Sequence, residues 1–199
     1  MGTPVGQGAL AHRTHIVPGN SIRAPGSPSN FAQASLHSGA LRPTTAATMR
    51  TIHIKRQLNA PIERVFELLS DHAGYTRFPG VRAAQLTRMG REERNGVGAV
   101  REITLGGAWF EEEITAFARP HRLGYRILRS RPPIEHPGGL ITLSANAQGC
   151  MAEWTSTFRI TVPLIGGLLT RIAAKQMSRG FAAVLKQAEQ IAQGEAEAA

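Results

Sequence analysis

The longest regular pattern of apolar and polar positions runs from Pro163 to Gln193. Ile165, Leu168, Leu169, Ile172, Met177, Phe181, Val184, Leu185, Ala188 and Ile191 recur at spacings of three and four. That periodicity predicts an amphipathic helix with one wide apolar face. Arg171, Lys175, Arg179, Lys186, Gln187 and Gln190 fall largely on the opposite side. At 1.5 Å per residue the helix spans roughly 45 Å, so its apolar face needs a wide cover. Gly180 interrupts it, at about 1 kcal/mol relative to Ala, and marks a kink or a close backbone approach.

The cover is written in period two. Ile52, Ile54 and Leu58 alternate with His53, Lys55 and Gln57, which predicts a strand over Arg50–Leu58. Asn59 reads as a helix cap before Pro61 and Glu63, and Ile62, Val65, Phe66 and Leu69 form that helix's stripe. Ser70 to Gly74 breaks it, and a second short helix follows over Tyr75–Phe78. Six strands come next: Val81–Arg88, Gly98–Leu105, Ala108–Ala118, Leu123–Arg129, Leu140–Ala145 and Met151–Val162. Turn residues separate them, with a Pro-rich loop over Arg131–Gly139. Tight connections imply antiparallel pairing. The fold class is therefore α+β: a seven-stranded antiparallel sheet, two short helices after the first strand, and a long C-terminal helix returning across it.

Composition and charge change this picture at the N-terminus. The net charge of +9 divides into +4 over residues 1–50, which hold four arginines and no acid, and +5 over the remainder. In that remainder the cations are scattered among acids and form no cluster of five or six, so no specific nucleic-acid site is indicated, while an anionic surface is a candidate partner. Residues 1–48 are rich in Gly, Pro, Ser, Ala and Thr without apolar periodicity. They read as a disordered leader: either a targeting segment or an extension upstream of a start at Met49. Residues 194–199 read as a flexible tail. The domain is thus 49–193. A single cysteine, Cys150, excludes an internal disulfide framework and fits a reducing, cytoplasmic location. No apolar run is long enough for a transmembrane segment.

Candidate chemistry is sparse. Asp71 is the sole aspartate, which excludes paired-aspartate sites. His53, His72, His121 and His136 have no partner at ligand spacing, so no metal or other cofactor is expected. Glu111, Glu112 and Glu113 are consecutive. If Phe110 and Ile114 face inward, so does Glu112, which then is either an acid/base candidate or the partner of a neighbouring arginine such as Arg101 or Arg126. Trp109 and Phe110 point to opposite faces, with the inner one undecided. Trp154, Ser156, Phe158 and Ile160 share a face that should meet the long helix, as should Leu123, Tyr125 and Ile127 on their strand.

Several phrases resemble a known family. The run Asn59-Ala60-Pro61-Ile62-Glu63-Arg64-Val65-Phe66-Glu67-Leu68-Leu69-Ser70-Asp71, then Tyr75 and Phe78-Pro79-Gly80-Val81, is similar to the opening of SRPBCC proteins, the START-like, birch-pollen-allergen-like superfamily that includes polyketide cyclases and lipid carriers. Gly96-Val97-Gly98-Ala99-Val100-Arg101, Trp154 and the long final helix extend the likeness over about residues 50–193. The resemblance implies a helix-grip, in which a curved sheet wraps the C-terminal helix around an apolar cavity. Its expected lining is Tyr75, Phe78, Trp109 and Tyr125, then Trp154, Ser156 and Phe158, with Met177 and Phe181 from the helix. Tyr125 and Ser156 would be polar handles for a ligand hydroxyl or carbonyl. It implies binding of a lipid, polyketide, quinone or similar aromatic molecule. Alternatives are a cyclase or aromatase using Glu112 and Tyr125, or a protein acting on a ribosome or membrane surface. Oligomeric state is left open.

Overall fold

A computed structural model describes residues 48–197, with side chains to Gly194. The leader read from the sequence lies outside the described residues. The elements are β1 (Arg50–Leu58), α1 (Ile62–Ser70), a 3-10 helix (Ala73–Arg77), β2 (Val81–Arg88), β3 (Val100–Leu105), β4 (Ala108–Ala118), β5 (Arg122–Arg131), β6 (Ile134–Asn146), β7 (Gly149–Ile160) and α2 (Gly166–Glu197). One antiparallel sheet holds all seven strands in the order β1-β7-β6-β5-β4-β3-β2. The first two strands are therefore its opposite edges. α1 and the 3-10 helix carry the chain from one edge to the other, and β2 through β7 then fill the sheet by successive antiparallel steps. With α2 laid back over β1 and β7, this is the expected helix-grip.

β7 keeps strict alternation: Cys150, Ala152, Trp154, Ser156, Phe158 and Ile160 are all buried, and each intervening residue is only partly so. The main core joins this face to α1 through Val65, Phe66 and Leu69, and to the C-terminal half of α2 through Val184, Leu185, Ala188 and Ala192. A second, smaller core of Ile52, Phe158 and Ile160 lies under the N-terminal half of α2, where Leu169, Ala173, Ala174, Met177 and Phe181 pack only in part.

Four local expectations are corrected. The predicted apolar positions do not form one buried face: Leu168 and Ile172 are exposed, because they lie on a side of the helix turned away from Ala173 and Met177, and Ile165, exposed as well, precedes the helix. α2 starts at Gly166 rather than Pro163, after a turn in which Leu164 takes a positive φ of 65°. Asn59 does not cap α1, whose N-cap is Pro61 without a side-chain bond. Instead the Asn59 N–H donates to Glu189 Oε1 at 2.8 Å, and its carbonyl accepts from Gln193 Nε2 at 2.9 Å, both on α2. Finally, β6 begins inside the predicted Pro-rich loop and absorbs it through a register shift between Glu135 and Gly138. At Gly180 an added Cβ would meet nothing within 4 Å, so no close backbone approach explains that glycine.

Candidate functional site

The inner face of the sheet carries a row of paired residues running across five strands. Ile52 opposes Ser156, Ser156 opposes Gly139, Gly139 opposes Tyr125, and Tyr125 opposes Ile114. The glycine leaves a gap at the centre, and the Tyr125 ring occupies it. Ser156 is fully buried and Tyr125 nearly so.

His136 closes this cluster. Its Nδ1 accepts the Ile127 N–H at 3.1 Å, which leaves Nε2–H to donate to Ser156 Oγ at 3.0 Å. The imidazole stacks on Tyr125 with ring centroids 5.4 Å apart. Burial holds its pKa below the ordinary histidine value, so the ring is neutral at neutral pH. Burial, reinforced by the field of Glu112, pushes the Tyr125 phenol well above its usual range. Trp154 Nε1 donates to the Tyr125 hydroxyl at 3.1 Å, and the Trp154 indole stacks on Phe181 of α2, centroids 4.0 Å apart and planes 3° from parallel. A continuous chain of contacts thus joins the polar cluster to the half-buried part of the helix.

A second buried polar group adjoins the first. Phe110, Glu112 and Ile114 share the inward face of β4, and Glu112 opposes Arg101 on β3. Arg101 donates from Nε at 2.8 Å and from Nη2 at 2.7 Å to Glu112 Oε2. Its Nη1 donates to His72 Nδ1 at 3.2 Å, whose Nε2–H in turn donates to the Asn95 carbonyl at 2.9 Å. The guanidinium lies 4.3 Å above the Tyr75 ring and 5.7 Å from that of Tyr125. Burial, reinforced by the charge of Arg101, lowers His72 to a pKa of about 3. Of the two arginines considered as partners for Glu112, Arg101 takes the role. Arg126 pairs instead with Glu113 on the outer face, where Arg129 also pairs with Glu111.

The expected lining residues divide. Tyr125, Trp154, Ser156 and Phe181 come together as described. Phe158 is fully buried beneath α2, and Met177 packs half-buried beside it. Tyr75 is buried with its hydroxyl donating to Leu69 O at 2.7 Å, and Phe78 meets it edge to face at 5.0 Å; both belong to the main core. Trp109 is excluded from the interior. Its register opposite Thr104 and Arg131 places it on the outer face, with the Arg129 guanidinium 5.9 Å from its ring, in a surface hollow of about 640 Å³. The strand alternation that turns Glu112 inward turns Trp109 outward. Sequence reasoning did not select His72 or His136. His136 was hidden in a stretch read as loop, although the alternation of Ile134 and His136 before Gly138-Gly139 was a usable signal. Among the described residues no group of histidine, cysteine or carboxylate side chains could hold a metal ion.

Every titratable group in the cluster is already committed. His136 and His72 are neutral with both ring nitrogens engaged, and Glu112 faces a charged arginine. Such an array offers hydroxyl and ring contacts to a polar atom more readily than it offers a free base.

This fold and site define a family. The family described as polyketide cyclase / dehydrase and lipid transport matches residues 49–193, and the chain belongs to it, within the SRPBCC superfamily. No curated protein matches the chain. Among solved structures it is similar to the protein TTHA0849 from Thermus thermophilus (TM-score 0.61, 20% identity, covering 73% of this chain and 99% of that one). It is also similar to the Zhui aromatase/cyclase from a Streptomyces species (0.59, 22%, 73% and 94%). A START superfamily protein from Mycobacterium smegmatis matches at a TM-score of 0.56 and 10% identity, over 72% and 98% of the two chains. At these identities the likeness establishes the fold.

Proposed function

We propose that the protein binds a hydrophobic small molecule against the inner face of the sheet, beneath the N-terminal half of α2. The observation that carries this reading is the pairing of a half-buried apolar rim, Ile134, Met177 and Phe181, with the buried polar cluster of Tyr125, Ser156 and His136. A lipid, polyketide, quinone or similar aromatic molecule would keep its apolar body against the rim. Its carbonyl or hydroxyl would exchange hydrogen bonds with Tyr125 and Ser156. The family's description, which includes lipid transport, supports the same reading. Among the described residues no helix is long and apolar enough to cross a membrane, and a cytoplasmic location is part of the proposal.

The test is displacement of a fluorescent apolar probe from the full chain by fatty acids, quinones and aromatic polyketides, with native mass spectrometry as the second readout. Competition by at least one class, weakened in Met177→Gln, is expected. Failure of every class to displace the probe would remove the reading.

A cyclase or aromatase reading rests on the stack of Tyr125 with His136 close to the Arg101–Glu112 pair. The commitment of each group to a partner favours binding over proton transfer. Turnover of a poly-β-ketone surrogate that falls in Tyr125→Phe and in Glu112→Gln would reverse that order.

A further inference from the structure

The N-terminal half of α2 is apolar on two sides, and only one of them meets the sheet. Among the described residues eight large hydrophobic side chains are exposed, and four of these, Leu164, Ile165, Leu168 and Ile172, fall within nine consecutive positions. Leu168, Ile172, Lys175 and Arg179 succeed one another at spacings of four, three and four, so they share a stripe along the helix. Leu169, Thr170, Ala173, Ala174 and Met177, on the other side, are buried or half-buried. Ordinary monomers scatter exposed apolar residues singly, whereas a contiguous patch marks a surface that meets something.

Charge says what it meets. From Ile160 to Ala188 the chain carries Arg171, Lys175, Arg179 and Lys186 and no acid. Among the described residues no carboxylate pairs with Arg171, Lys175 or Arg179. On the sheet Arg88, Arg126, Arg129 and Arg159 each have a glutamate, while among the described residues Arg82, Arg122 and Arg131 have none, so the unpaired cations of α2 are distinguished by the apolar side chains beside them. The stripe thus joins unshielded apolar side chains to unneutralised cations. Leu164 adds to it. It is fully exposed and sits at a φ of 65°, a conformation unfavourable to a leucine, at the turn that feeds α2.

We propose that this stripe is a docking surface for an anionic lipid bilayer, with Leu164, Ile165, Leu168 and Ile172 set into the headgroup boundary and Lys175 and Arg179 on the lipid phosphates. A single convex helix face with apolar and cationic positions side by side suits a planar anionic interface. The same half of α2 carries Met177 and Phe181 on its inner side, so docking would bring the rim of the inner site next to lipid. The proposal does not depend on what the inner site holds.

The experiment is flotation of the full chain with phosphatidylcholine vesicles, with and without phosphatidylglycerol. The full chain should float with the anionic vesicles, and added salt should release it. The double variants Leu168→Gln/Ile172→Gln and Lys175→Glu/Arg179→Glu should each reduce the bound fraction by about tenfold. Their thermal midpoints and interior probe displacement should remain at the wild-type values, which separates failure of this surface from failure of the inner site. Flotation undiminished in both variants would overturn the proposal, because the basic leader common to all forms would then be responsible. So would absence of flotation, a wild-type dimer that Leu168→Gln/Ile172→Gln makes monomeric without loss of vesicle binding, or binding to ribosomes in place of vesicles.

Discussion

The Tyr125 ring lies against the backbone of Gly139: a Cβ at residue 139 would sit 2.3 Å from the ring Cζ and 2.6 Å from the hydroxyl oxygen. The two residues are cross-strand partners on β5 and β6. Glycine is required here because a ring takes the space a side chain would fill. Gly139→Ala must therefore push the phenol off its stack with His136 and its bond to Trp154. Overpacking of this kind costs about 1–3 kcal/mol. Urea unfolding should show that loss, and probe affinity should fall with it. Gly180→Ala, where an added Cβ meets nothing, should instead leave stability unchanged or raised by up to about 1 kcal/mol.

The Arg101–Glu112 pair gives a second expectation. Both side chains are nearly inaccessible, 3% and 10% exposed. Removing one partner leaves an uncompensated buried charge, at about 3–5 kcal/mol. Arg101→Met should unfold at markedly lower urea. Arg101→Met combined with Glu112→Leu should recover most of the loss, since no charge is then stranded. A double variant as unstable as the single one would show that the arginine acts through His72 or Tyr75 rather than through Glu112.

How much of this was legible in the sequence follows from the range over which each feature is decided. The inner face of β7 was readable because every second residue from Trp154 to Ile160 obeys one local rule. The inward turn of Glu112 was readable, conditional on Phe110. The partner was narrowed to Arg101 or Arg126 but not decided between them, because register between strands, not spacing along one, set Arg101 opposite it. His136 was lost because Pro137, Gly138 and Gly139 look like loop, yet β6 accommodates them by a register shift. α2 was read as a single apolar face because helical periodicity counts Leu168 and Leu169 together. Packing separates them: one meets the sheet and the other does not. Asn59 looked like a cap because its residue type and position fit one, but its backbone partner lies 130 residues away on α2.

That long-range contact is itself testable. Glu189 is 8% exposed and accepts the Asn59 N–H while pairing with Arg56 at 3.3 Å. Glu189→Ala leaves a backbone donor and a guanidinium without their acceptor, which costs about 1–3 kcal/mol. Glu189→Gln keeps a carbonyl for the N–H and should lose less. Hydrogen exchange at the Asn59 amide should rise strongly in the alanine variant and little in the glutamine variant. Asn59→Ala should be nearly silent, since the side chain caps nothing.

The buried histidine sets a pH dependence of defined sign. His72 titrates at about 3 in the folded chain and near its ordinary value of 6.5 when unfolded. Between those values the unfolded chain binds a proton that the folded chain does not. Its contribution to stability is therefore fully present above about pH 6.5 and is lost progressively as the pH falls towards 3. Midway through that window the slope contributed by one such group approaches about 1.4 kcal/mol per pH unit. His136, lowered by burial in the same direction, contributes with the same sign. Replacing His72 with Gln removes the titrating group while keeping a donor for the Asn95 carbonyl and an acceptor for Arg101. His72→Gln should be less stable than the wild type at pH 7, because the ring fills its site. The difference between the two should narrow steadily from pH 6 to pH 4, measured by urea unfolding at each pH. A difference that stays constant over that range would mean that His72 is protonated in the fold and that the Asn95–His72–Arg101 hydrogen-bond order described above is wrong.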